Sequence, residues 1–240
     1  MYIIYSLTRF DITIDGFQPF DNTSASCVAY YVQINNLPVD ERIKKENTIL
    51  LCLVEGPGEA NCSQTQKILK LVTSQLKSLY FGVRMTTYNS SMDNNDNGAT
   101  VKACLLQILA DIPMQRKLSA FTGFSSTRSC FRCDRSFIVF PDTKKLDYSG
   151  FFESDYPPNI NKVLNDIQAD KWCKCKNKAE RKKEERSHGM RFSILRSLRY
   201  LDLVQCTTQD YLHCIWLGMA KSIMNKYFEN GFFTEQHFLR

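Results

Sequence analysis

Apolar and polar residues alternate from Phe10 onward, with Phe10, Ile12 and Ile14 interleaving with Asp11, Thr13 and Asp15. This is the period of a half-buried strand. Gly16 lets the backbone turn and Pro19 bars the strand from continuing, so the pattern predicts a strand that ends on a carboxylate, Asp15. An ordinary Asp-Gly turn would produce the same pattern. Ser26 to Asn35 is rich in β-branched and aromatic residues and predicts a second strand, closed by Asn36-Leu37-Pro38. The apolar run Thr48 to Val54, closed by Glu55-Gly-Pro-Gly58, predicts a third strand covered on both faces. Short connections make these three an antiparallel meander.

From Asn61 the period changes. Ile68, Val72, Leu76 and Leu79 share a helical face widened by Leu69 and Tyr80, with Asn61 or Ser63 as cap, which predicts a helix over 63–80. Asn89 to Gly98 lacks apolar anchors and predicts a loop. Val101 to Ala110 fits a buried strand or a short helix equally well by periodicity. Its place after a helix, and the following Asp111-Ile-Pro113, favour a fourth strand that again ends on an aspartate.

Beyond it, Met114 to Phe121 predicts a short helix stopped at Gly123, and Pro141 to Pro158 a loop anchored by Tyr148, Phe151, Phe152 and Tyr156. Helices are expected over 160–172 and 177–186. A final helix is expected over 211–228, with Ile215, Met219, Ile223 and Tyr227 on one stripe.

Composition narrows the classes. The chain has 240 residues, 43% of them hydrophobic, enough for a real core. The net charge of +6 is local, because Lys171 to Arg191 alone holds nine Lys/Arg against three Asp/Glu. A basic patch is indicated, not a basic protein. Within it Lys174, Lys178, Arg181, Lys182 and Lys183 are candidate phosphate contacts. The competing expectation is a solvated helix face with Arg181–Glu185 or Glu180–Lys183 pairs. No run of about 18 apolar residues and no signal-peptide pattern are present, so an intracellular protein without a membrane segment is expected. The ten cysteines are then mostly buried thiols. The strand-like opening without a preceding cap reads as a chain that begins close to, or inside, a larger domain.

Two aspartates at neighbouring strand ends, Asp15 and Asp111, can share divalent cations and serve a phosphodiester displacement; hard carboxylate oxygens favour Mg2+ or Mn2+. Cys130-Phe-Arg-Cys133 has the spacing for two thiolates on one Zn2+, with Arg128, Arg132 and Arg135 nearby. Further ligands could come from Cys173 and Cys175, from Asp210 and His213, or from Cys206 and Cys214. Asp210 and His213, three apart, share a helix side; as purely structural groups they would be an N-cap and a core histidine.

The runs Ile14-Asp-Gly-Phe-Gln-Pro-Phe20, Ile34-Asn-Asn-Leu-Pro38, Lys45-Glu-Asn-Thr-Ile-Leu-Leu51 with Gly56-Pro57, Leu109-Ala-Asp-Ile-Pro113 and Gly123 to Cys133 resemble the CACTA (En/Spm-like) DNA transposase family. Arg199-Tyr-Leu-Asp202 and Asp210-Tyr-Leu-His213 with Leu217-Gly218 are similar to its downstream segment, so the resemblance runs collinearly over nearly the whole chain. It implies an α/β, ribonuclease-H-like catalytic core: a mixed sheet flanked by helices, with a cysteine-containing, partly helical insertion. Residues 1–122 would be the first part of the core, 123–205 the insertion, and 206–240 the Asp-x-x-His helical segment of a core left incomplete. Asp15 and Asp111 would be the catalytic, Mg2+-binding carboxylates. Cys130, Cys133 and His213 would form a zinc site, with Asp210 as ligand or supporting partner.

The implied activity is cleavage and strand transfer at transposon ends, with transposon and target DNA as partners, self-association in the full-length protein and nuclear action. The family's third acidic residue, a glutamate, has no counterpart here; Glu229 and Glu235 follow too soon after the last helix. The fragment is therefore expected to be weak or inactive alone. The alternative is an inactive, transposase-derived remnant that binds DNA or protein.

Overall fold

The computed structural model describes residues 7–21, 26–56, 60–86, 98–149, 158–159 and 161–232. In chain order its elements are β1 (Thr8–Phe17), β2 (Ser26–Ile34), a short helix α1 (Val39–Arg42), β3 (Thr48–Gly56), α2 (Cys62–Phe81), β4 (Val83–Met85), β5 (Ala99–Val101), β6 (Ala103–Ala110), α3 (Ile112–Ser119), α4 (Lys162–Lys174), α5 (Lys178–His188) and β7 (Thr207–Gln209). A helical stretch follows, π-helical over Leu212–Ala220 and continuing as α6 (Lys221–Glu229).

The architecture is α/β, a five-stranded mixed sheet in the order β3-β2-β1-β6-β7 flanked by helices. β1, β2 and β3 form the expected antiparallel meander. β6 lies parallel to β1 on its other side, which the intervening helix α2 makes sterically possible. β7, a three-residue strand absent from the sequence expectations, adds in parallel to β6.

Alternation on β1 turns Ile12 and Ile14 to one face of the sheet, with Val28, Tyr30 and Val32 of β2 and Leu105 and Ile108 of β6. Leu69 and Leu76 of α2 close over that face, joined by Met114 and Leu118 of α3 and by Leu195, Leu198, Leu201 and Leu203. Segment 194–206 thus packs into the same core as the sheet. α2 begins with a reciprocal cap, in which Asn61 Oδ1 accepts from the Gln64 N–H (3.0 Å) and Gln64 Oε1 accepts from the Asn61 N–H (2.9 Å).

The structure differs from expectation at four places. β3 is covered on one face only: Cys52 and Val54 pack on the core, while Leu50 is 54% and Leu53 47% exposed. It is an edge strand, and an apolar run does not reveal which side its cover comes from. α3 stops at Ala120, which takes the left-handed conformation (φ 57°), not at Gly123. The chain must turn there for Phe121 to bridge to Met190 and for the Arg191 N–H to reach the Ala120 carbonyl (2.8 Å). Val101, expected to open the fourth strand, belongs instead to β5, which pairs with β4 as a short antiparallel ribbon; the loop expected over 89–98 and the anchors Phe151, Phe152 and Tyr156 lie outside the described residues, apart from Gly98. The final helix opens as a π-helix, whose wider turn breaks the alignment of Ile215 and Met219 with Ile223 and Tyr227; no residue of Leu212–Glu229 is buried.

Among the described residues no helix is long and apolar enough to cross a membrane. Gly189 closes α5 with φ +70°, its carbonyl accepting from the Thr122 N–H (2.9 Å), and a Cβ there would sit 2.5 Å from the Arg128 carbonyl oxygen. Backbone cannot yield as a flexible side chain does. Gly189→Ala is expected to lower stability by about 1–3 kcal/mol, read as a lower denaturant midpoint at unchanged slope; an unchanged midpoint would refute this close approach.

Candidate active site

Strand register sets three aspartates in a row. Ile14 pairs with Ala110 and Ala110 with Gln209, and the next residue on each of these parallel strands is an aspartate: Asp15, Asp111 and Asp210. Neighbouring strands lie about 4.8 Å apart, so the three carboxylates leave the backbone at adjacent positions along the carboxyl end of the sheet. The strands part at this row. β6 passes directly into α3, whereas β1 stays paired with β2 through Gly16–Val28 and Phe17–Cys27. Asp15 therefore does not end its strand, and Gly16 is a ladder residue rather than a turn, correcting the expectation drawn from the Asp-Gly pair. The parting opens a cavity of about 490 Å³, lined among others by Asp15, Asp111, Met114 and His213.

Each acid is held differently. Asp15 is exposed and accepts no hydrogen bond from a described residue. Asp111 caps α3, its Oδ1 accepting from the Met114 N–H at 2.8 Å, with Pro113 in the first turn. Asp210 donates its N–H to the Ala110 carbonyl (3.3 Å), accepts from the Leu212 N–H at Oδ1 (2.8 Å) and meets His213 Nδ1 at Oδ2 (2.7 Å). Although partial burial works against it, the bonds from His213 and the Leu212 backbone keep the Asp210 carboxyl below the usual range. The Asp210 hydrogen bond raises the His213 pKa above its ordinary 6.5; burial opposes this, and the charges of Asp210, Asp15 and Asp111 add to the rise. Asp11, which shares the alternation of Asp15, is buried instead, and desolvation raises its pKa.

Sequence reasoning missed the strand that delivers Asp210, because Thr207-Thr-Gln209 has no apolar alternation. β7 is positioned by side chains. Fully buried Gln115 donates to the carbonyls of Ala110 (2.8 Å) and Thr208, and Ser119 and Thr207 share a hydroxyl bond of 2.9 Å. Arg132, from the CxxC turn, donates to the Thr207 carbonyl. The other arginines near that turn are likewise structural: Arg128 pairs with Asp134 and Arg135 bonds the Ser149 carbonyl.

The donor set suits a hard divalent cation. Mg2+ uses one or two carboxylates and completes its shell with water and substrate phosphate rather than with an all-protein cage; Asp15 and Asp111 on one open cavity meet that description. Among the described residues no three His, Cys, Asp or Glu side chains are gathered where they could hold a metal ion. The same fact bears on zinc. Cys130 and Cys133 neighbour each other, and burial pushes the Cys133 thiol up, but the structure brings His213, bonded to Asp210, to the aspartate cavity and does not gather the four residues together. Cys206 is buried, with its thiol pushed up to about 12 by desolvation.

In the basic segment, Lys178, Arg181 and Lys182 line a shared cavity, while Lys174 and Lys183 are exposed on α4 and α5. The expected Arg181–Glu185 and Glu180–Lys183 pairs do not form. Glu185 pairs with Arg191 (3.1 Å), Glu184 with His188 (3.5 Å), and Glu180 takes the Lys176 N–H (2.8 Å) at the start of α5. No protein-family model matches the chain, and a search of curated proteins finds no match.

The His213 proton links the site to pH. Its folded pKa is raised, so the stability it contributes is full below about pH 6.5 and fades as pH climbs through the folded value. The stability gap between wild type and His213→Gln should be wider at about pH 5.5 than at about pH 8.5; a pH-independent gap would show that the Asp210 pairing does not hold the proton. Asp111→Asn keeps a side-chain oxygen for the Met114 N–H, whereas Asp111→Ala loses it. The alanine variant should therefore unfold about 1 kcal/mol more easily than the asparagine variant, measured by urea denaturation.

Proposed function

We propose that the chain is part of a DNA transposase of the CACTA (En/Spm-like) kind, and that Asp15 and Asp111 carry its metal-dependent phosphodiester cleavage and strand transfer. The observation that carries the reading is the register row. Three parallel strands each place an aspartate at the same level, and two of these, with a histidine oriented by the third, face one cavity. The strand order β3-β2-β1-β6-β7, antiparallel on one side of β1 and parallel on the other, supports a ribonuclease-H-like core. That reading came first from the resemblance of the motifs around Asp15, Asp111 and Asp210.

Mg2+ or Mn2+ held by Asp15 and Asp111 would supply Lewis acidity toward a phosphate oxygen and a water of lowered pKa. The chain's own part is positional. Asp111, fixed by its cap to α3, presents its second oxygen at an invariant place. Asp15 is free to adjust to what enters. Asp210 holds His213 through Nδ1 and leaves Nε2 as the nitrogen that can exchange a proton with a phosphate or leaving 3′-oxygen, and the Asp210 hydrogen bond favours the protonated ring. DNA as substrate, nuclear action and self-association of the full-length protein belong to the same proposal, as does weak activity without the family's third acid.

One observation favours the alternative of a non-catalytic remnant: Asp111 and Asp210 both have structural duties, so their presence does not require chemistry. Asp15 has none and is the discriminating residue. Calorimetric titration with Mn2+ should show binding to the wild-type chain that Asp15→Asn weakens at least tenfold. A protein extended beyond residue 240 should nick DNA in Mg2+, and Asp15→Asn should not. Equal Mn2+ affinity and equal nicking in both proteins would overturn the catalytic reading.

A further inference from the structure

Along α5, from α2 to the segment 122–127, three cavities share lining residues. The first, of about 530 Å³, lies between α2 and the segment after α5 and is lined by Lys67, Lys70, Trp172, Arg191, Phe192 and Ile194, among others. The second, of about 550 Å³, shares Trp172 and Arg191 with it and adds the start of α5, with Lys178, Arg181 and Lys182. The third, of about 320 Å³, shares Lys182 and Arg191 and ends at Arg186 beside Ser125, Ser126 and Thr127. The shared residues make one groove from three elements far apart in sequence.

The charge in this groove is uncompensated. Glu185 is its one acidic residue, and its carboxylate is taken by Trp172 Nε1 (3.0 Å) and by Arg191 (3.1 Å). No other groove cation is in an ion pair among the described residues. The acids of α5 that would have neutralised its lysines are drawn off to the helix cap, to His188 and to Arg191. The indole of Trp172 forms a wall common to the first two cavities, with the Arg181 guanidinium 5.0 Å from its ring centre. Unpaired cations along a track, with an aromatic wall opening into an apolar recess, are what single-stranded nucleic acid requires: phosphates along the cations and a base against the ring. A duplex keeps its bases stacked and would leave the recess by Phe192 and Ile194 unused.

We propose that this groove binds single-stranded nucleic acid, with phosphates on Lys67, Lys70, Lys178 and Lys182 and one unstacked base against Trp172. The proposal deepens the nucleic-acid reading of the protein but is tested apart from the aspartates, on the full chain carrying Asp15→Asn, in EDTA. The probe is a labelled oligothymidylate of about 15 nucleotides, followed by anisotropy, with a blunt duplex and polyglutamate as competitors. In a Trp216→Phe background, which leaves Trp172 as the one tryptophan, binding should quench its fluorescence. Lys178→Ala and Lys182→Ala should each flatten the log-affinity against log-salt slope by roughly 0.7. Trp172→Leu should weaken binding at least about fivefold, with Trp172→Phe close to wild type; near-ultraviolet dichroism of both variants establishes that each is folded. Competition by polyglutamate as strong as by the oligonucleotide would overturn the proposal in favour of a general anion surface. So would duplex preference without quenching, or lysine variants with an unchanged slope. Loss of nicking in the Asp15 variant with groove binding intact would leave this proposal standing, and the reverse result would leave the catalytic one.

Discussion

Everything in the molecule depends on β1 being paired on both edges, antiparallel to β2 and parallel to β6. A strand bonded on one side only would be free to slip. Bonded on both, its register is fixed by the burial of Ile12 and Ile14 against α2, because a one-residue shift would turn both out of the core and Asp11 and Thr13 into it. That constraint is what brings Asp15 level with Asp111. Apolar side chains beneath the sheet therefore set the spacing of charged groups at its end, with no direct contact between the two sets.

The third member of the row reaches its place by a different kind of force. β7 has three residues and little apolar content, so hydrophobic burial cannot fix it. Gln115, Ser119 and Arg132 do so with hydrogen bonds, two of them from α3 and one from the cysteine-containing turn. The CxxC turn is therefore coupled to the aspartate row through Arg132. This gives the CxxC turn a structural role independent of its thiols, with Phe121, Phe131, Met190 and Val204 forming the small core beneath it.

How far the sequence could be read follows from these forces. Strand-forming composition and helical spacing gave β2 and α2 nearly to the residue, and period-two alternation gave the middle of β1, because burial decides those elements and burial is written in apolar spacing. The end of β6 before Asp111 was legible for the same reason, whereas β1 runs on past Asp15 to Phe17. β7 was not, since its placement lies in hydrogen bonds between residues such as Gln115 and Thr208, and no local pattern encodes them. Ala120 was missed because a tertiary contact imposes a conformation that the residue itself does not favour. The pairing choices on α5 followed the competing partners offered by Trp172, Arg191 and His188, so helical spacing alone pointed to the wrong ion pairs. The motif resemblance assigned Asp210 and His213 to a zinc site with the cysteines, whereas in the structure His213 lines the cavity of Asp15 and Asp111.

The cap that Asp111 forms on α3 has a consequence for tracing descent. A lineage that had lost all chemistry would still be held to Asp or Asn at that position, because the helix beneath the sheet begins there. Asp210, clasping the Leu212 backbone and His213, is similarly protected. Asp15 is sheltered by nothing in the fold and would drift as soon as it ceased to be useful. Among descendants of a common ancestor, Asp15 is thus the one of the three that can change without cost to the fold, and the other two aspartates are held by it.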